Sequence, residues 1–517
     1  MPRHPGLVRC LGLLVLCAML QAGCAILPPI EGRSVSTAAS DTAGTRLGRA
    51  VSGLTEAHTR LSGVVALRDG RDAFAARVRL ADAAERTLDV QYYIWRNDTS
   101  GTLLLDALRR AAERGVRVRL LLDDNNTVRM DDLLAALAAQ PNIEVRLFNP
   151  FAARRWRALG FLTDFGRLNR RMHNKSFTAD NQVTIIGGRN VGDEYFDAGE
   201  DLRFVDLDVL TIGPVVQQVS SDFDRYWASD SAYPIERLVP QPQPQTVAAL
   251  VAAAVQTQYA PAAQDYVQAL AGQPFMRALL ERRLPFEWAT VHMVSDDPAK
   301  VLGKAGEDEL LWSRLKRVMR RPAHDMVLIS PYFVPGAEGE RFFAELARAG
   351  VKATVVTNSL ESTDVVAVHA GYAKRRLALL EAGVRLYEMK RAPGLPAEGG
   401  RRLVGSSSAS SLHAKTFAID GARAFVGSFN FDPRSARLNT ELGFVIDSPA
   451  IARAITDDFA SGLARHAYEV RLGATGALQW IEQRDGETLV HEAEPGTDVW
   501  QRLGVRLLSL LPIEWML

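Results

Sequence analysis

His173-Asn174-Lys175-Ser176-Phe177-Thr178-Ala179-Asp180 and His413-Ala414-Lys415-Thr416-Phe417-Ala418-Ile419-Asp420 are two copies of one pattern, set 240 residues apart in a chain of 517. Each copy continues, after six intervening residues, with two small residues, then one residue, then asparagine: Gly187-Gly188 with Asn190, and Gly427-Ser428 with Asn430. A single His-x-Lys-x-x-x-x-Asp match is expected by chance about 0.01 times in a chain of this composition. Two matches in equivalent places, each with its small residues and asparagine, mark a duplicated domain; a period this long is no solenoid.

The flanking sequence repeats as well. Residues 88–95 read as a strand, Ser100 caps a helix that Gly115 ends, and 116–122 is a buried strand run. A helix over 131–139 and a third strand over 143–148 follow. The second half gives 326–333 as a strand, a helix closed by Gly350, a strand at 351–356, a helix over 365–382 and a strand at 384–387. Strands separated by helices of this length predict an α/β fold, here two α/β/α sandwich domains related by pseudo-twofold duplication. The domains are expected at 61–235 and 301–470. Residues 236–300, with their Pro-Gln repeat at 240–245, read as linker and helical insertion. Residues 390–411 form a long loop of the kind that serves as a lid or binding segment. Residues 471–517 are expected to hold a hairpin turning at Asp485-Gly486 and an apolar tail.

Composition narrows the class. Hydrophobic residues make up 47% and charged residues 23%, as in an ordinary globular protein, and the net charge of +1 supplies no basic field for nucleic acid. No nucleic-acid partner is expected. The cysteines are Cys10, Cys17 and Cys24, all near the N-terminus. Arg3 and Arg9 precede an apolar run over 11–20, too short to span a bilayer comfortably but of signal-peptide length. Gln21-Ala22-Gly23-Cys24 is similar to a lipobox, although Gln21 stands at its aliphatic position. The expectation is a lipoprotein-type signal peptide over 1–23, lipidation at Cys24, a flexible Ser/Thr/Ala/Gly-rich tether over 24–60, and catalytic domains on the periplasmic side of the cell envelope.

The motif chemistry suits phosphodiester exchange. His173 and Lys175 share one strand face, as do His413 and Lys415. Only eight of the 61 basic residues are lysine, yet both motifs carry one. A compact ammonium fits beside a phosphate oxygen where a planar guanidinium does not. One neutral imidazole attacks phosphorus to give a phosphohistidine, and the other protonates the leaving alcohol and then deprotonates the incoming one. Gly188 and Ser428 are expected to let backbone approach the phosphate, with Asn190 and Asn430 binding it through their amides. Each histidine needs an acid on its second nitrogen. Aligning Gly213-Pro214 with Ser448-Pro449 sets Asp206 against Glu441, and these are the expected orienting acids. Asp180 and Asp420 complete the catalytic motif, although their places beside turns suit holding local structure. The mechanism calls for no cofactor and no metal.

These residues resemble the signature of the phospholipase D superfamily, over roughly residues 65–470. Arg434-Ser435, Asn439-Thr440-Glu441, the stretch 192–196, Asn358-Ser359-Leu360 and the stretch 369–372 are similar to its bacterial cardiolipin synthase branch. The leader and the ending Leu511-Pro512-Ile513-Glu514 look like the third type of such synthases. The resemblance implies a phosphatidyl donor such as phosphatidylglycerol or phosphatidylethanolamine, phosphatidylglycerol as acceptor, and the N-terminal motif histidine, His173, as nucleophile with His413 as acid and base. A hydrolase releasing phosphatidic acid uses the same motifs with water as acceptor, and a nuclease of this fold is a further alternative. His369 is a possible substrate contact but reads better as a structural polar residue. The arginines and aromatics of 148–171 suit a membrane surface or a lipid headgroup, against a partly packed loop. The tail 505–517 suits dipping into lipid and packing on the domain equally.

Overall fold

The computed structural model describes residues 27–196, 206–272, 275–391, 412–484 and 486–517. The leader, Cys24 and nearly all of the 390–411 loop lie outside the described residues.

The first half contributes β1 (Ser62–Leu67), β2 (Thr87–Tyr92), β3 (Arg117–Asp123), β4 (Ile143–Phe148), β5 (Ser176–Ala179), β6 (Val183–Gly187), β7 (Asp208–Ile212) and β8 (Ala232–Pro234). The second contributes β9 (Glu287–Ser295), β10 (Asp325–Ile329), β11 (Lys352–Asn358), β12 (Arg385–Met389), β13 (Thr416–Ile419), β14 (Arg423–Gly427), β15 (Leu442–Asp447) and β16 (Ala467–Leu472). The first sheet runs β8-β4-β3-β2-β5-β6-β7-β1. The second runs β16-β12-β11-β10-β13-β14-β15-β9, the same order strand for strand. In each, the last three strands before the motif, β2–β4 and β10–β12, pair in parallel and the other pairings are antiparallel. The parallel strands are buried along almost their whole length, because helices cover both faces. The duplication read from the motifs is therefore a duplication of the entire sheet.

Strand β9 joins the halves. Its residues 287–289 pair with β1, and its residues 290–295 pair with β15. An apolar seam adds to this, with Ile186 and Val209 packed in one cluster with Val426 and Phe444.

The motif hairpins explain their aspartates. Asp180 and Asn181 sit at φ of 51°, and Asp420 and Gly421 at 53° and 55°, left-handed positions that Asp, Asn and Gly tolerate best. The Asp180 carboxylate accepts from the backbone N–H groups of Glu85, Arg86 and Thr87 at 2.7 to 3.2 Å. Asp420 does the same for Ala323, His324 and Asp325. Each aspartate thus pins the turn of the motif hairpin to the start of its neighbouring parallel strand. That turn lies about 20 Å along an extended chain from the motif histidine.

Three boundaries differ from expectation. Residues 27–56 pack on the first half: Arg33 donates to Ser229 and Ala232 carbonyls, and the Ala38 N–H to Asp224. Helix α1 (Arg46–Glu56) inserts Leu47 and Val51 into the core. The polar composition suggested a tether, but Leu47, Ala50 and Val51 form a helical stripe that outweighs it. The linker region holds α2 (Pro244–Gln258), α3 (Gln264–Gly272) and α4 (Phe275–Leu280), which seat Leu250, Tyr266 and Leu279 in the first core. It also contains β9, so the second sheet begins before residue 301. Finally, β17 (Leu478–Arg484) and β18 (Glu487–His491) extend the second sheet past β16.

Candidate active site

The two motifs meet at the seam. Just before His173, the chain pairs with the other half: Met172 bridges Thr440, the His173 N–H donates to the Thr440 carbonyl at 2.8 Å, and the Thr440 N–H returns to Arg171 at 2.9 Å. Arg171 is fixed by the carboxylate of Asp123 at the end of β3, which also accepts from the Met172 N–H.

The orienting acids cross the seam. His173 Nδ1 stands 2.8 Å from Glu441 Oε2, and His413 Nδ1 stands 2.7 Å from Asp206 Oδ2. Each half therefore supplies the acid that holds the other half's histidine. The sequence alignment identified both acids, but not this exchange. His173 Nδ1 also lies 3.0 Å from the Ser428 carbonyl. All these partners accept, so Nδ1 carries the proton in both rings and Nε2 keeps its lone pair. Among the described residues neither Nε2 has a hydrogen-bond partner.

Lys175 and Lys415 each donate to the carbonyl of the histidine two residues earlier, which sets both ammonium groups at the same place in the two copies. Both lysines are buried. Burial, then Lys175 and Lys415, hold His173 well below its ordinary value; burial and Lys415 lower His413 in the same way. Burial also depresses both ammonium groups, Lys415 to about 8. Two buried lysines thus stand beside neutral imidazoles, and an anion entering between them would relieve the lysines' mutual repulsion.

The two acids differ. Burial pushes Glu441 up to about 7 against the pull of Lys175. Two neighbouring carboxyls are raised by burial too, Asp296 to about 6 and Asp432 to about 7. Burial also opposes the charge on Asp206, but His413, Arg189 and Lys415 outweigh it and hold that carboxyl below the usual range.

The small motif residues serve these acids. A Cβ at Gly188 would stand 2.2 Å from Asp206 Oδ1, so only glycine leaves room for the carboxylate that reaches His413. At the equivalent place Ser428 donates its hydroxyl to Glu441. These contacts give each small residue a role beside the expected approach of backbone to a phosphate. Asn190 accepts from the Ile94 N–H at 3.1 Å and keeps a buried amide nitrogen with no acceptor among the described residues. Asn430 is buried in the same loop of the second copy. Asp180 and Asp420, grouped above with the catalytic residues, hold backbone at the far turns instead.

Several site residues escaped the sequence reading. Tyr93 meets His173 edge-on at 4.8 Å and Tyr195 meets His413 at 5.1 Å, walling each ring. Behind Glu441, Asp296 accepts from the Glu441 N–H at 2.9 Å and pairs with Lys300 at 2.9 Å. Lys300 also donates to the Ser435 carbonyl. The scarcity of lysine that singled out Lys175 and Lys415 applies equally to Lys300, but its place in a presumed linker hid it. His369 is buried against Glu494 at 2.8 Å, away from the motifs' own contacts.

Comparison with known proteins agrees with this geometry. The family described as "Cardiolipin synthase, PLD-like domain" matches residues 78–227 and 315–463, one match per half. Cardiolipin synthase C of Escherichia coli (strain K12) is 48% identical over 472 residues, 91% of this chain and 100% of that protein. An uncharacterized protein of Helicobacter pylori (strain ATCC 700392 / 26695) is 32% identical over 459 residues, covering 87% of this chain and 89% of its own. Among solved structures, the phosphatidylserine synthase of Haemophilus influenzae Rd KW20 superposes with a TM-score of 0.52 at 13% identity, over 81% of this chain and 91% of that one, a likeness of fold.

Proposed function

This chain belongs to the phospholipase-D-like family of cardiolipin synthases, and from that premise we propose that it transfers a phosphatidyl group from a phospholipid donor to phosphatidylglycerol through a covalent phosphohistidine. The observation that carries the reading is the crossed pair of histidine–carboxylate contacts enclosing two buried lysines.

In the first step His173 Nε2 attacks phosphorus, a P–N bond forms and the P–O bond to the headgroup alcohol breaks. His413 Nε2 gives its proton to that departing oxygen. In the second step the glycerol hydroxyl of phosphatidylglycerol returns a proton to His413, attacks phosphorus and displaces His173. Lys175 and Lys415 neutralise the non-bridging oxygens, and Asn190 and Asn430 offer amide donors. The difference between the acids supports this order. Asp206 stays a carboxylate and stabilises the imidazolium that forms at His413, whereas the weakly acidic Glu441 orients a neutral nucleophile. The bound diester's negative charge offsets the lysines that depress His413, which lets it take up its proton.

The donor is phosphatidylglycerol or phosphatidylethanolamine, presented by a membrane surface. The leader supports anchoring through a lipidated Cys24 on the periplasmic side of the envelope. Among the described residues no helix is long and apolar enough to cross a membrane. Incubating the purified full chain with labelled phosphatidylglycerol, with and without phosphatidylethanolamine, tests the reading. Labelled cardiolipin is expected; phosphatidic acid as the sole product would make the enzyme a hydrolase.

A further inference from the structure

Helix α5 (Val499–Ser509) is apolar on two opposite sides. One side packs: Val505 and Leu508 meet Leu360 and Ala370, and beyond the helix Ile513 and Leu517 meet Val334 and Val368. The other side carries Trp500, Leu503, Leu507, Leu510 and, after the helix, Trp515, all exposed, with Trp500 at 75% and Leu510 at 79%. A helix that is apolar all round normally has partners all round. Among the described residues this one has a partner on one side only.

A second exposed apolar element comes from the first half. The short helix Arg157–Thr163 and its flanks expose Trp156, Leu159, Leu162 and Phe165, with Leu162 at 82%. Together the two segments hold eleven of the seventeen exposed large hydrophobic side chains among the described residues. They are also electrically simple. Arg155 and Arg506 are the exposed charged residues of 155–166 and 499–517; the half-exposed Asp164 carboxylate is ion-paired with Arg167, and the exposed Asp498 caps the helix from just outside it.

Arg434 clasps the two elements. Its guanidinium donates to the Asn169 carbonyl at 2.8 Å and side-chain oxygen at 2.7 Å, and to the Met516 carbonyl at 2.7 and 3.0 Å. Its own N–H donates to the Leu517 carbonyl at 2.8 Å. Asn169 lies four residues after Phe165 and four before His173, and Met516 follows Trp515. The two exposed apolar elements therefore converge on one guanidinium, beside the entry of the chain into the active site.

We propose that the 156–165 segment and the 499–515 segment form a two-footed docking face that seats the active site on an anionic phospholipid bilayer. Tryptophans at the ends of the feet, leucines between them and an excess of arginine over unpaired acid fit the headgroup–acyl boundary. A neutral protein groove would match the leucines but not this positive excess. The inference rests on the phosphatidyl-transfer reading, since it names the surface from which that site takes its substrate.

The test uses the full chain and two double variants, L507D/L510D and L159D/L162D, which leave every group in the seam untouched. Turnover is measured on vesicles of phosphatidylglycerol and phosphatidylethanolamine, and on dihexanoyl phosphatidylglycerol kept below its micelle concentration. Any lipid anchor at the N-terminus is common to all forms. Each variant should lose at least tenfold on vesicles and stay within twofold of wild type on the monomeric lipid. No loss on vesicles, or an equal loss on both substrates, overturns the proposal. Hydrogen–deuterium exchange of the wild-type chain on phosphatidylglycerol vesicles should slow at least fivefold in 156–168 and 499–517. Unchanged exchange in both segments overturns it as well, whether or not turnover is seen. A wild-type chain protected there but inactive on both lipids would instead defeat the reading of the catalytic site.

Discussion

Glu441 Oε2 lies 2.8 Å from Nδ1 of His173, although the two residues belong to opposite halves of the chain and are 268 positions apart. The reciprocal contact joins Asp206 to His413 across 207 positions. Neither half holds a complete histidine–acid pair from its own sequence.

Replacing either acid by its amide should therefore disable the histidine of the other half. Glu441→Gln offers an N–H where Nδ1 needs an acceptor, which favours the wrong tautomer of His173. A loss of about 10³ to 10⁴ in kcat is expected, with KM little changed. The two variants should differ in quenched-flow labelling. Asp206→Asn, with His173 still oriented, should accumulate more phosphohistidine per turnover than Glu441→Gln. Equal accumulation would count against His173 as nucleophile.

The acid Glu441 also ties stability to pH. Burial raises its carboxyl from 4.5 to about 7, so the folded chain holds that proton more tightly than the unfolded chain. Its stabilising contribution is complete below pH about 4.5 and is lost as pH rises through about 7. Glu441→Gln removes that titration. Scanning fluorimetry should find the variant's Tm, relative to wild type, higher at pH 8 than at pH 4.5.

For activity the alkaline side is set by Lys415, which burial brings down to about 8. Above that pH the ammonium loses its charge, and kcat/KM should fall. In Lys415→Arg the rate should be lower throughout, but the fall near pH 8 should disappear, because a guanidinium does not titrate there. A limb that persists unchanged in this variant belongs to another group.

Gly188→Ala places a methyl group where Asp206 Oδ1 now sits, 2.2 Å away. The carboxylate must move, and His413 loses its partner. At least a hundredfold loss of turnover is expected with the chain still folded by circular dichroism. Ser428→Gly at the equivalent position removes the hydroxyl's bonds to Glu441 and to the Leu442 backbone without a clash, and its loss should be smaller.

Asp180→Asn separates architecture from chemistry. The buried carboxylate takes three backbone N–H groups, and an amide cannot accept them all without presenting its own donors. A stability loss of about 2–4 kcal/mol is expected by denaturant titration. Turnover per folded molecule, measured where the variant is folded, should stay within a few fold of wild type.

Much of this was legible in the sequence because a duplication prints its own alignment. The paired motifs gave the two sheets, and the prolines at 214 and 449 gave Asp206 and Glu441. What the alignment did not carry is contact across the seam. Which acid meets which histidine depends on how two similar sheets dock, and no local spacing records that. The room Gly188 leaves for an acid was out of reach for a related reason: that carboxylate belongs to a residue eighteen positions later. The region over 27–56 misled by composition, because three apolar residues at helical spacing were enough to fold a segment otherwise poor in them. Asp296 and Lys300 lay beyond reach once their region was taken for a linker.

Strand β9 is hydrogen-bonded along its first residues to one sheet and along its last to the other. Parting the two walls of the cleft would have to break this shared ladder or bend the strand that carries it. We therefore expect the headgroup alcohol to leave and the new alcohol to arrive through one doorway between walls that stay in place.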